Sequence, residues 1–538
     1  MFKNHPKGLL AAALTNMGER FGFYIMMAIL TLFISSKFGL SETSTGYIYS
    51  IFYASIYVLA LVGGLIADRT RNYKRTIMLG LILMALGYVI IAIPTPTPVP
   101  NFALYLGLTC VGLFVIAFGN GLFKGNLQAI VGQMYDNKEY KDFIANKFGV
   151  DENGKPKRDM RDAGYQLFYM FINVGGFFAP FIAIAVRNWW LKFNGFDYNA
   201  QLPELAHKFI GDQASMSVEE LNNLTTYASE VVLDKTPVTD LLAFSNQYLD
   251  VFNKGFQFAF IATIFALCIS FIIYIVNKKK FPDPAAKKTI SDVNDKNTIS
   301  KEEVKMAASE IKQRIYALFA VFGIVIFFWF SFHQNGYSLT YFARDYINLD
   351  LININLGFTS LKGAEIFQAV NPFFVVFLTP IIMWLFGSMR KKDKEPSTPK
   401  KIAIGMGIAA LAYVFLLIVS MVLPDKSALS SMTAGDLQAM KLTPWVMIGL
   451  YFILTVAELF ISPLGLSFVS KVAPPHLQGL MQGAWLAATA IGNSILFIGG
   501  LLYTSVPLWS CWLVFAVVCS LSMLVMLLMV KWLEKVAK

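Results

Sequence analysis

Twelve stretches of this 538-residue chain run apolar for roughly twenty residues or more, separated by shorter polar segments. They cover residues 8–36, 45–67, 76–94, 102–131, 163–187, 256–277, 314–340, 366–388, 402–423, 444–471, 477–504 and 508–534. A helix needs ~20 mostly apolar residues to cross a hydrocarbon core of ~30 Å. In lipid no backbone polar group can go unpaired, so the pattern predicts twelve spanning helices and no open strands. The unbroken apolarity of each stretch also excludes the alternating strands of an outer-membrane barrel. Two polar interruptions are long. Residues 188–255 mix acidic and aromatic positions, and segments such as LPELAHKF and SVEELNNL predict one or two short helices packed on one mouth of the molecule. Residues 278–313 are rich in Lys, Asp and Asn and divide the spans six and six.

That division predicts an all-α integral membrane protein with the layout of the major facilitator fold. An N-terminal half at 1–277 carries the insert at about 188–255, a linker occupies 278–313, and a C-terminal half follows at 314–538. In such a layout the ligand site lies near the bilayer midplane, between the halves. Composition agrees, with 56% hydrophobic and only 15% charged residues, where soluble domains carry roughly 25% charged. The first stretch is too long for a cleavable signal, contains Glu19 and Arg20, and lacks a small-residue cleavage pattern. Cys110, Cys268, Cys511 and Cys519 all fall inside expected spans and read as small packing residues, with no disulfide or metal spacing among them.

The net charge of +11 is organised along the chain. Lys and Arg crowd one set of loops: DRTRNYKRT (68–76), the 138–162 stretch, 277–314, and MRKKDKEPSTPKK (389–401). The alternate loops, such as PTPTPVPN (94–101) and 424–438, are nearly free of them. The positive-inside rule then puts both termini in the cytoplasm. The basic excess is topological, so no nucleic-acid partner is implied; the expected surroundings are a lipid bilayer. Between the second and third spans, GGLIADRTRNYKR sets Asp68 and Arg69 at the cytoplasmic end of a helix, where they would serve conformational switching or orientation, or simply obey topology.

Polar residues inside the spans are the candidate chemistry. A charge at the bilayer centre costs roughly 2.5–3.5 kcal/mol even on the lenient insertion scale. In TNMGERFGFY, residues Asn16, Glu19, Arg20, Phe23 and Tyr24 share one helical stripe, which must face protein or a wet cavity. Taken alone, Glu19 and Arg20 read equally as a structural ion pair. They are not alone. FGNGLFKGN places Lys124 one turn beyond Asn120, between Gly121 and Gly125. FYMFINVGG offers Tyr169 and Asn173, FFWFSFHQNG offers Trp329 and His333, and FQAVNPFF offers Asn371. VAELFISPLG sets Glu458 and Ser462 on one face before Pro463. Both halves therefore contribute ionisable groups, and a cavity between them would be cationic toward Arg20 and Lys124 and anionic toward Glu458. That suits a zwitterion with separated charges, with Tyr24, Tyr57, Trp329 and the phenylalanines forming apolar walls.

These motifs together resemble the proton-dependent oligopeptide transporter family of the major facilitator superfamily. The helix-1 stretch is similar to that family's ExxERFxYY, and FYMFINVGG to its FYxxINxGS; GNGLFKGN, FQAVNPFF, ELFISPLGLS and GAWLAATAIGN match in helix and order. The resemblance implies uptake of di- and tripeptides by proton-coupled alternating access, with no cofactor and no metal, by a protein functional as a monomer. It implies that Arg20 and Lys124 bind the peptide carboxylate, that Asn173, Asn371 and Glu458 hold its amino end and backbone, and that Glu19 and Glu458 are proton-linked. Compact loops and twelve spans are compatible with a bacterial inner membrane.

Three positions depart from the family pattern: Asn16 and His333 stand where it has glutamates, and Phe23 where it has tyrosine. Lys124 must then find another partner, either Glu19, a bound anion or the substrate carboxylate. His333 could replace a missing acid as the proton-responsive group, since imidazole titrates near neutrality; its other reading is a neutral core residue. The loss of two acids also admits another anionic or zwitterionic solute, such as nitrate or a peptide-like metabolite, with weak proton coupling. A membrane enzyme is disfavoured, because no nucleophile–histidine pairing, metal-ligand cluster or phosphate-cradling loop is present. A receptor or scaffold built on the 188–255 insert is the remaining class.

Overall fold

The computed structural model describes residues 4–70, 72–150, 161–282, 308–390, 392, 394–473 and 478–536. Most of the expected linker, 283–307, lies outside the described residues. Twelve helices among the described residues are long and apolar enough to cross a membrane. The first six are α1 (Leu9–Phe38), α2 (Glu42–Thr70), α3 (Tyr73–Ala92), α4 (Phe102–Asp136), α6 (Arg161–Phe193) and α9 (Leu241–Asn277). Short helices α5 (Lys138–Phe148), α7 (Leu202–Asp212) and α8 (Val218–Val231) lie between them. The later six begin with α10 (Ala308–Phe332), continued by α11 (Ser338–Tyr346), then α12 (Val370–Arg390) and α13 (Thr398–Ser420). They end with α15 (Trp445–Val472), α16 (Gln478–Ser494), continued by α17 (Phe497–Ser505), and α18 (Leu508–Val536). The connections hold α14 (Ala434–Ala439) and an antiparallel hairpin of β1 (Ile354–Asn355) and β2 (Ser360–Leu361).

Three spans differ from the hydrophobic pattern, the eleventh being interrupted at residues 495–496 between α16 and α17. The sixth span starts at Leu241, well before residue 256, because Asp240 caps it by accepting from the N–H groups of Leu242 and Ala243 at 2.9 Å. Its first turns bury Phe244, Tyr248 and Phe252 against Phe196 and Tyr198, so the helix is prolonged by aromatic packing on the insert. The seventh span is broken by a 3₁₀ turn at His333–Gly336. The freed Asn335 carbonyl accepts from Gln368 Nε2 at 2.8 Å, Tyr451 OH at 3.0 Å and Thr340 Oγ1 at 3.1 Å, which is how a helix break survives at membrane depth.

Within the first half α1 packs on α6 and α9, and α4 on α2 and α3; within the second, α13 packs on α15 and α18. Glycines set the α2–α4 spacing, since a Cβ on Gly63 would collide with the Gly121 carbonyl oxygen. The halves meet where α2 lies along α16 and α17 and where α6 lies along α12. On the face opposite the termini, buried charges close the seam. Arg187 at the end of α6 pairs with Glu365, ahead of α12, and donates to the Lys362 carbonyl at 2.9 Å. Glu42, which opens α2, accepts from Arg344 of α11 at 2.8 Å. Arg344 also holds Asp345 at 2.7 Å, and Lys426 reaches Asp345 at 3.1 Å and Glu42 at 3.5 Å. Burial opposes the charge of Lys426, yet the carboxylates of Asp345, Glu204 and Glu42 raise its pKa above the ordinary lysine range. On the termini face, the described pairs Arg314–Glu310 and Lys401–Glu395 stay within one half. The ion pairs Arg187–Glu365, Arg344–Glu42 and Lys426–Glu42 thus join the two halves across the far face.

Candidate functional site between the halves

On α1, Asn16, Glu19, Arg20 and Phe23 are all buried, as the stripe requires. Arg20 grips its neighbour Glu19 with both ends of the guanidinium fork, Nε to Oε2 and Nη2 to Oε1, each at 2.6 Å. Asn120 of α4 adds its Nδ2 to Glu19 Oε1 at 2.8 Å, and its own Oδ1 has no hydrogen-bond partner among the described residues. The guanidinium lies 4.4 Å from the Phe23 ring centroid. Phe23 thus completes an aromatic face for the cation without a hydroxyl. The pair is self-neutralised, and Glu19 is committed before Lys124 can use it.

Lys124, one turn further along α4, is half-buried with its ammonium 4.9 Å from the Tyr57 ring centroid. No ion pair to it occurs among the described residues. Beside it, a Cβ on Gly125 would meet nothing within 4 Å, so this wall is open. Gly121, in contrast, serves helix packing against Leu59. Among the described residues the lysine therefore has an aromatic neighbour, free space and no carboxylate paired to it.

Across the seam, Asn371 at the start of α12 donates to Glu458 Oε2 at 2.8 Å and to Thr455 Oγ1 at 3.0 Å. Glu458 is half-buried and within electrostatic reach of the hydroxyls of Tyr24, Tyr57 and Tyr169 from the other half. A Cβ on Gly176 would touch both the Tyr24 ring at 3.1 Å and Pro372 at 3.3 Å, so α1, α6 and α12 converge beside this carboxylate. Asn173 points its amide at the Tyr169 carbonyl, 3.2 Å away. Ser462 is half-buried one turn beyond Glu458, and no described contact joins it to the cluster.

His333 sits in the 3₁₀ break, 5% exposed. Its Nδ1 is 2.5 Å from Asn493 Oδ1, its ring stacks on Trp329 with centroids 4.9 Å apart, and Tyr53 covers it at 4.7 Å. Among the described residues, the Trp329 indole N–H and the Asn493 amide nitrogen have no hydrogen-bond partner. Lys124 lies within electrostatic reach of the imidazole. Asp68 and Arg69 end α2; Arg69 is exposed, and the Asp68 side chain lies outside the described residues. Sequence reasoning did not find Arg187, Glu365, Glu42, Arg344 or Lys426. The signal was present: charges abutting apolar stretches must be paired when the fold buries them.

Twelve spans in two halves, with two cations and two carboxylates at their seam, define a membrane transporter of the major facilitator fold. The sequence profile of the POT family matches residues 74–314 and 250–506, and the chain belongs to that family. It is 27% identical over 519 residues to the peptide transporter YePEPT of Yersinia enterocolitica, covering 91% of this chain and 87% of that one. It is 26% identical over 508 residues to a dipeptide and tripeptide permease B of Aliivibrio fischeri, covering 93% and 86%. Among solved structures it resembles a peptide transporter POT in complex with sulfate, with TM-score 0.67 and 21% identity over 100% of this chain and 96% of that one. A POT family transporter in complex with 5-aminolevulinic acid gives TM-score 0.67 and 20% identity, covering 99% and 98%.

Proposed function

We propose that this protein takes up di- and tripeptides by alternating access, driven by an inward proton gradient. The observation that carries this reading is the charge layout at the seam: Glu19 is spent on Arg20, and among the described residues Lys124 has no paired carboxylate and Glu458 is held by neutral partners. A zwitterion fills that layout, with its carboxylate on Lys124 and the outer edge of Arg20 and its ammonium on Glu458. Asn173 and Asn371 stand beside the peptide backbone. Nitrate would satisfy Lys124 and leave Glu458 without a cation. The loss of acids at Asn16 and His333 is the one feature that favours an anion or weak coupling.

Proton linkage follows from competition for cations. When a peptide carboxylate engages Arg20, Glu19 loses its counter-charge and becomes free to take a proton, while Glu458 loses its charge partner each time the peptide leaves. His333, with Nδ1 held by Asn493, offers Nε2 as a third proton position. In this reading the far face is the outside, both termini are cytoplasmic, the membrane is the bacterial inner membrane and a monomer suffices. Asp68 and Arg69 serve the inner face during switching. The test is competition in proteoliposomes: unlabelled di- and tripeptides block uptake of a labelled dipeptide, while N-acetylated peptides and nitrate do not. Equal block by nitrate overturns the peptide reading in favour of the anion.

A further inference from the structure

The insert does more than decorate the far face, because each of its ends is fixed to a different half. Its base belongs to the first half. Asp197 N–H donates to the Val231 carbonyl at 2.7 Å, Tyr248 of α9 binds the Asn199 N–H at 3.1 Å, and His207 Nε2 sits 2.5 Å from the Ser36 carbonyl of α1. Its tip reaches the second half. Ser217, which caps α8, donates its hydroxyl to the Ser430 carbonyl at 2.7 Å, and Asn223 donates to the Met432 carbonyl at 2.7 Å. On α7, Glu204 lies 3.4 Å from Arg344 and 3.5 Å from Lys426.

The receiving loop is itself rigidly part of the second half. Leu442 exchanges backbone hydrogen bonds with Tyr346 and Asn348 at 2.8 Å, Tyr346 OH donates to the Pro424 carbonyl at 2.9 Å, and Asp425 accepts from the Leu508 N–H at 2.8 Å. Each anchor is hydrogen-bonded to its own half, so rocking the halves apart on this face strains the contacts between them. Under α7 a cavity of about 560 Å³ runs from Ser35 and Ser41 to Glu42 and Arg344, so the strap has space beneath it.

We propose that the segment 196–240 is a strap that holds the outer mouth shut by tying the first half to the 424–440 loop, and that substrate access from outside requires it to release. The inference rests on the transport reading for its direction, and on hydrogen bonds between the halves for its substance. Its first test reads conformation alone. Ser50→Cys places a thiol beneath the mouth, where Ser50 accepts the Phe497 N–H from the other half at 2.8 Å. In this background Ser217→Ala with Asn223→Ala raises the rate of labelling by a membrane-impermeant maleimide about tenfold, the population shift expected when two such bonds are lost. Labelling at the parent rate overturns the strap.

The second test reads transport. Ser217→Cys with Ser430→Cys, joined by a short cleavable bis-maleimide, abolishes dipeptide uptake, and cleavage restores it; the chain carrying only its native cysteines is the control. Full uptake in the tethered protein overturns the strap. Absence of uptake before tethering overturns the transport reading instead and leaves the labelling test to decide the strap.

Discussion

Removing the charge of Glu19 tests the helix-1 pair most sharply. In Glu19→Gln the buried Arg20 keeps its charge and loses two 2.6 Å hydrogen bonds to a carboxylate. Breaking a buried pair by taking one partner costs about 3–5 kcal/mol, because the remaining charge is uncompensated. A glutamine carbonyl still accepts one bond, which puts the expected loss at about 3 kcal/mol. Removing both charges in Glu19→Gln with Arg20→Met costs less than the single change, since no orphan charge remains. The assay is thermal melting of the purified protein in detergent, with and without a dipeptide. At one hundred times the dissociation constant, a ligand stabilises the folded state by about 2.7 kcal/mol. The variant gains more than the parent, because the peptide carboxylate becomes the only counter-charge Arg20 can find. A single variant that melts with the parent, and responds equally to peptide, refutes the claim that Glu19 and Arg20 neutralise each other.

Other outcomes are expected at the opposite charges. Lys124→Gln weakens peptide binding by about ten- to a hundredfold, the worth of a hydrogen bond to a charged group, with little change in melting; calorimetric titration checks both. Glu458→Gln reduces binding of free dipeptides and abolishes the preference over N-acetylated ones, read by competition. Asn371→Ala moves the same preference in the same direction but less, because Glu458 keeps its charge and loses only the 2.8 Å bond that aims it. His333→Ala retains peptide counterflow and weakens gradient-driven accumulation; unchanged gradient dependence leaves the proton step to Glu19 and Glu458.

The spans were legible because membrane depth leaves few options: apolar length fixes a helix, and a charge within it announces an interior face. The pairing of those charges was not legible. Glu19 and Arg20 are adjacent in sequence and 100° apart on a helix, so only long side chains folding toward each other join them, and no spacing rule reports that. The break at His333–Gly336 did have a signal, since Asn335-Gly336 is a turn dipeptide inside an apolar run. The early start of α9 was hidden because LLAFSNQYLDVFNKG is amphipathic, and its apolar face is buried by an insert whose fold the pattern does not specify. The far-face seam was missed for a related reason: Arg187, Glu365, Glu42, Arg344 and Lys426 come from distant segments, and only the tertiary fold brings them together.

The central claim is coupled peptide uptake, and one measurement addresses it directly: accumulation of a labelled dipeptide in proteoliposomes, with and without an inward proton gradient. Accumulation above equilibrium is expected when the gradient is imposed, with collapse to equilibration when an ionophore dissipates it and loss of accumulation in Lys124→Gln. Uptake that is absent, or that never exceeds equilibration whatever the gradient, contradicts it.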